Sequence, residues 1–250
     1  MKPFKYKNLG YWFILLIVCV FAGFYTTYFS RFFEPTANII HIHFVLMALW
    51  IMMLIAQPFL IKFKKLSWHR LLGKVSYLLV PLVLITTWLV TRNEYYRKIE
   101  NLQNEVVEGM QNLSQLEILK AASVNPAAFI GVIWFITFYS LAIKFRRKPN
   151  KHARYMLATA LILLSPTIDR FVAINLGIKS VAGIASYIIS FLIIDLILAY
   201  LLFIDYRTKK ETRTLSICLL IFIIGQFSFY LLPNFDWWAR FMEFAMMPKP

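Results

Sequence analysis

Seven apolar runs near bilayer-crossing length dominate this chain of 250 residues. They fall at about residues 11–30, 39–61, 68–91, 126–143, 152–171, 183–204 and 215–232. A hydrocarbon core takes roughly 20 apolar residues of helix to cross. The runs are rich in Ile, Leu, Phe and Val, with Trp and Tyr near their ends, the pattern of helices with aromatic belts at both interfaces. The first run is about twice as long as a signal-peptide core and lacks a clear small-residue cleavage site, so it reads as a span. Composition agrees: 60% of residues are apolar and 16% charged, which excludes a water-soluble globule and a disordered chain. Two cysteines exclude a disulfide scaffold or a thiolate metal cage.

The net charge of +15 sorts itself by side. The N-terminus and the 62–74, 144–154 and 205–213 loops together carry 18 basic residues against two acids, Asp205 and Glu211. The other side carries nine of each sign. Excess Lys and Arg marks the cytoplasmic face, so the N-terminus is expected inside and, with seven spans, the C-terminus outside. The basic loops then serve topology and contact with anionic lipid, not nucleic acid. Asn125-Pro126, Ser67 and Asn150 read as helix starts. There is no internal repeat and no Gly/Ser linker. The expectation is one all-α transmembrane domain over residues 1–250, an integral membrane bundle of seven helices.

Only the 92–125 loop is long, and it lies on the outer side. Ile99, Leu102, Val106, Leu113 and Leu116 recur at three- and four-residue steps among Glu100, Glu105, Glu108 and Glu117, which reads as an amphipathic helix continuing the third span. It packs as a lid on its own bundle or docks a membrane or periplasmic protein. The 233–250 tail holds Trp237, Trp238, Phe241 and Phe244 and reads as an anchor along the outer leaflet.

Four histidines are present, each at a membrane edge. His69 and His152 open spans three and five on the inner side, in the first helical turn, where the helix dipole and nearby Lys65, Arg70, Lys151 and Arg154 disfavour an imidazolium. Two neutral imidazoles at one depth are a candidate haem or metal site; the alternative is hydrogen bonding to loop carbonyls or lipid phosphate. His41 and His43 open span two on the outer side and point about 200° apart on a helix. Asp169 shares their depth, so a mixed His41/Asp169 metal site is a candidate, as is a simple Asp169–Arg170 pair. Asp195 lies within span six, about 13 Å from its inner end, and a carboxylate there is a functional candidate by default. Tyr77 lies at similar depth on span three and Gln57 nearer the inner edge; with Asp195 they are candidates for a proton-relay or polar pocket. The alternative is a protonated Asp195 joining helices. Pro58, Pro81 and Pro166 sit inside spans and permit kinks. Cys19 and Cys218 read as packing residues.

The stretch from His43 through Trp50 and Gln57-Pro58 to His69-Arg70-Leu71-Leu72-Gly73-Lys74-Val75-Ser76-Tyr77 resembles a family of predicted bacterial membrane proteins of unknown function. That family has a His-Arg-x-x-Gly-Arg/Lys-x-x-Tyr motif opening one span. His152-Ala153-Arg154-Tyr155-Met156 is similar to its His-x-Arg-Trp-Met motif. The resemblance covers about half the chain, roughly spans two to five. The family is distantly similar to cytochrome b561-type proteins, which hold haem between histidines of neighbouring helices. This implies a bacterial inner-membrane location, b-type haem as cofactor, and His43, His69 and His152 as the residues to carry over. Two haems would need inner and outer histidine pairs, and His41 and His43 share one helix, so at most one inner haem is expected.

Three functions remain open at this level. One is a haem- or metal-binding protein with a membrane electron-transfer role. Another is a non-catalytic assembly subunit using the outer loop. The third is a proton-coupled transporter using Asp195. The sequence fixes no enzymatic activity.

Overall fold

A computed structural model describes residues 8–181 and 184–247. Lys2, Lys5 and Lys7 of the basic N-terminus, Gly183 at the head of the expected sixth span, and the 248–250 end of the tail lie outside the described residues. The chain is almost wholly helical. The described residues form ten α-helices: α1 (Leu9–Phe24), α2 (Asn38–Lys62), α3 (Leu66–Val107), α4 (Gln115–Ala122), α5 (Ala127–Lys144), α6 (Pro149–Leu161), α7 (Leu164–Arg170), α8 (Ser186–Arg207), α9 (Arg213–Leu231) and α10 (Asp236–Met246). Extended pairing among the described residues is confined to a two-residue antiparallel ladder, Ser180–Val181 with Ile184–Ala185.

Among the described residues, six helical segments are long and apolar enough to cross a bilayer: α2, α3, α5, the run Pro149–Asn175, α8 and the run Arg213–Asn234. The protein is therefore a multi-pass membrane protein. The first apolar run differs from the seven-span expectation. It is helical over 16 residues, Leu9–Phe24, or about 24 Å at 1.5 Å per residue, short of a ~30 Å core. The β-branched pair Thr26-Thr27 is a weak helix former, and the chain turns through residues 25–28, with Tyr28 leaving helical geometry at φ −139°.

The expected fifth span is two helices in line, α6 and α7. Residues 162 and 163 between them are not α-helical. Pro166 accounts for the break, because it has no N–H to give and its ring crowds the carbonyl four residues back, that of Ile162. The helix starts also shift. Pro149 occupies the first turn of α6 after Lys148, and α3 begins after Lys65. At α5, Pro126 caps and the Asn125 side chain accepts from Ala127 N–H at 3.0 Å.

The α6–α7 segment is the centre of the bundle. It packs against α1, α5, α8 and α9, with lesser contact to α2. Residues 157–163 are buried on every side, and small Ala158, Thr159 and Ala160 let neighbouring backbones approach. The outer helices keep apolar faces outward, with Leu78, Ile85, Leu196 and Phe227 well exposed on the bundle wall, as lipid contact requires. The tightest pair is α2 with α3.

The α3 helix does not stop at the bundle. Its 42 residues extend about 63 Å, and the far end carries the charged part of the 92–125 segment. There it joins α4 and α10 in a cap with its own small core: Tyr95, Leu119, Ala122, Trp238, Ala239, Met242 and Met246. The α10 tail is thus bound to protein through Trp238, whose indole N–H donates to Ser123 O at 2.9 Å, and through a Lys120–Asp236 ion pair at 2.6 Å. Trp237 and Phe244 remain exposed.

Candidate functional site

Polar side chains gather where the ends of α2, α3, α5 and α6 meet at the basic end of the bundle. Trp50 and Gln57 lie two turns apart on one face of α2. His69, Gly73 and Ser76 lie at i, i+4 and i+7 on α3, one stripe facing them. The Gln57 amide donates to the His69 carbonyl at 3.2 Å, which ties the two helix ends together. The Ser76 hydroxyl donates to the Gly73 carbonyl at 2.7 Å, so the Tyr139 hydroxyl of α5 donates to Ser76, also at 2.7 Å. Tyr139 in turn packs edge-on against Trp50, ring centroids 6.0 Å apart.

His152 enters from α6. It sits in the first turn, its backbone N–H bonded to Lys148 O. Its Nδ1 lies 2.9 Å from the carbonyl of Ala142 on α5. A carbonyl only accepts, so Nδ1 carries the proton and Nε2 keeps its lone pair whenever the ring is neutral. His69 is likewise in a first turn, its backbone N–H bonded to Lys65 O. Its Nδ1 is buried without a protein partner. His69 and His152 thus stand in the first turns of two helices that begin at the basic end of the bundle.

His43 lies elsewhere. It bonds Thr86 Oγ1 at 3.1 Å, at the opposite end of the α2–α3 pair. Seventeen residues of α3 separate Thr86 from His69, about 25 Å of helix. His41 bonds the Tyr28 hydroxyl at 2.9 Å, while Asp169 accepts from Ser186 at 2.6 Å, so each has its own neighbour. No group of three or more His, Cys, Asp or Glu suited to a metal ion stands together among the described residues. Asp195 accepts from Gln226 of α9 at 3.0 Å, an interhelical bond of the joining kind. Tyr77 is 48% exposed on the bundle wall. Gln57 belongs with His69.

The sequence did not pair Arg154 with Asp205 and Glu211. Arg154, two residues beyond His152, is buried and bonds Asp205 of α8 through Nε at 3.1 Å and Nη2 at 2.5 Å. Its Nη1 reaches Glu211 at 3.1 Å. Glu211 also accepts from the backbone N–H and hydroxyl of Thr214 at the start of α9. The signal was in the sequence: Asp205 and Glu211 are the two acids set against the whole basic side.

No family model matches the chain, and no curated protein or solved structure shows significant similarity to it.

Proposed function

We propose that the protein is a bacterial inner-membrane protein, with its basic loops in the cytoplasm, that binds b-type haem between His69 and His152 and serves membrane electron transfer. The observation that supports this reading is the histidine pair itself. Two imidazoles open separate helices at the basic end of the bundle. The His152 Nδ1–H is fixed by a backbone carbonyl, the arrangement that orients metal-ligating histidines, and His69 Nδ1 is buried with no protein partner. A bare zinc-type ion asks for three or four protein ligands, and no such group stands among the described residues. A haem iron asks the protein only for axial ligands, so a two-imidazole set fits haem better than a bare ion. When bound, haem supplies one-electron chemistry. The chain's own part is to hold two neutral imidazoles in place: Gln57 braces the turn that carries His69, and Ala142 sets the tautomer of His152. The test is the absorption spectrum of gently purified protein from haem-replete cells. A Soret band lost in both His69→Ala and His152→Ala is expected; a colourless, haem-free wild-type preparation overturns the reading.

A second reading is favoured by the cap. Val107 and Met110 at the tip of α3 are 85% and 70% exposed, with Glu100, Glu105 and Glu108 beside them. Such a surface suits a membrane or periplasmic protein partner. Under this reading Val107→Glu with Met110→Glu releases a co-purifying partner, and the histidine variants leave it bound.

A further inference from the structure

Trp50 Nε1, Gln57 Oε1 and His69 Nδ1, all on the facing stripes of α2 and α3, are buried without a protein partner. Buried polar groups nearly always find a partner, either protein or ordered water. Trp50 is the sharpest case because its indole is 0% exposed. The other two buried indoles are both satisfied: Trp134 donates to Ile221 O at 3.1 Å and Trp238 to Ser123 O at 2.9 Å. Trp50 is thus the one buried indole left without a protein partner among the described residues.

The rest of the seam matches. Between the Gln57–His69 end and Trp50 stand the Ser76 and Tyr139 hydroxyls, bonded to each other at 2.7 Å. Beside them Gly73 leaves room: a Cβ built there would meet only the Gln57 amide, at 4.0 Å. Beyond Trp50 toward the cap, the α3 wall turns apolar with Leu79, Val80 and Val83 until His43 and Thr86 close it. Donors and acceptors thus line one half of the seam and hydrocarbon the other.

We propose that this seam is a hydrated half-channel. A file of water enters between Gln57 and His69, passes Gly73 and the Ser76–Tyr139 pair, and ends at the Trp50 indole. Buried waters need two to four polar partners, and these side chains supply them. The same alternation of donors and acceptors accepts the hydroxyl group of a small neutral solute. The inference does not need haem, since Trp50 Nε1, Gln57 Oε1 and the space at Gly73 carry it.

Hydroxyl-radical footprinting of the full chain in lipid nanodiscs tests it, with radicals generated from water in place. Trp50 and Trp238 are equally buried, so a hydrated seam oxidises Trp50 several-fold faster than Trp238. Equal or slower oxidation of Trp50 overturns the proposal. A second measurement uses thiol chemistry, which needs water to form the thiolate. In a Cys19→Ala, Cys218→Ala background, Ser76→Cys reacts with a water-soluble methanethiosulfonate at least tenfold faster than lipid-facing Leu78→Cys. Labelling of a folded Ser76→Cys protein no faster than Leu78→Cys also overturns it. A Ser76→Cys chain that fails to fold leaves the decision to the footprint of the unaltered protein.

Discussion

Arg154 and Asp205 meet at 2.5 Å with each side chain 1% exposed, a charge pair sealed inside the basic end of the bundle. Removing one partner of a buried pair costs about 3–5 kcal/mol, while replacing both with apolar residues is often neutral. Arg154 keeps its bond to Glu211, so Asp205→Ala is expected to lower stability by no more than that amount. The Arg154→Met/Asp205→Leu double variant recovers most of it. Thermal unfolding in detergent, followed by tryptophan fluorescence, checks both. A double variant as damaged as the single one would show that the pair is worth more than its isolation from water.

The three histidines singled out by family resemblance separate by position. His69 and His152 share the basic end, and His43 sits with Thr86 about 25 Å away along α3. A haem held at the basic end predicts a Soret band that survives His43→Ala and disappears in His69→Ala. Absorption spectra of the variants, taken side by side, check this. A band lost in His43→Ala instead would move the haem to the other end.

Gly23 tests how closely α1 lies on the central segment. A Cβ at this position would overlap the Thr167 carbonyl and side chain of α7, and the backbone carbonyl cannot swing aside. Gly23→Ala is expected to cost about 1–3 kcal/mol, the usual range for overpacking. Gly131, with open space around its Cβ position, is the control. Melting temperatures of Gly23→Ala and Gly131→Ala in the same detergent should differ by several degrees.

The cap carries a pH-dependent element. Ser114 and Glu117 form a reciprocal capping box at the start of α4. Hydrogen bonds from the Ser114 hydroxyl and backbone N–H hold the Glu117 carboxyl below its ordinary range. A depressed folded value means that the stabilisation is complete above the unfolded value of about 4.3 and is lost as pH falls through the folded one. Hydrogen exchange over residues 115–122, corrected for intrinsic rates, should be slow at pH 6 and faster near pH 3. Ser114→Ala should be faster at pH 6 and show a smaller acid change.

Asp195 and Gln226 give a clean choice between joining helices and moving protons. An Asn at 195 still accepts from the Gln226 amide, so Asp195→Asn is expected to stay within ~1 kcal/mol of wild type. Asp195→Leu is expected to lose more, by thermal unfolding. A pH-driven solute uptake in proteoliposomes that Asp195→Asn abolishes would assign the carboxylate to transport.

The apolar runs made the helices legible because bilayer-crossing length is a property of sequence alone. The outward continuation of α3 was visible too, in the three- and four-residue steps from Ile99 to Leu116, although the turn around Gly109 that splits it from α4 was not. The break at 162–163 was foreshadowed by Pro166, whose ring crowds the Ile162 carbonyl. His69 and His152 announced themselves as rare residues in first turns. Tyr139, Ser76 and Trp50 did not, since nothing in a hydroxyl or an indole says which helix it will face. The Arg154 triad was hidden for the same reason. Charge counting located Asp205 and Glu211 on the basic side, but only the packing of α6 against α9 and of α8 beside it brings the guanidinium between them.

The length of α3 has a mechanical consequence. Pro81 lies within it, where the missing backbone bond softens the rod, and 26 residues, roughly 39 Å, separate it from Val107. A hinge of about 5° at Pro81 would carry the tip sideways by roughly 3 Å. Through the bonds of Arg92 and Tyr96 to the Met246 carbonyl, α10 would travel with it. Whatever touches the exposed end of this lever is geared to the bundle beneath, and a small tilt among the helices around Pro81 becomes a displacement large enough for another molecule to feel.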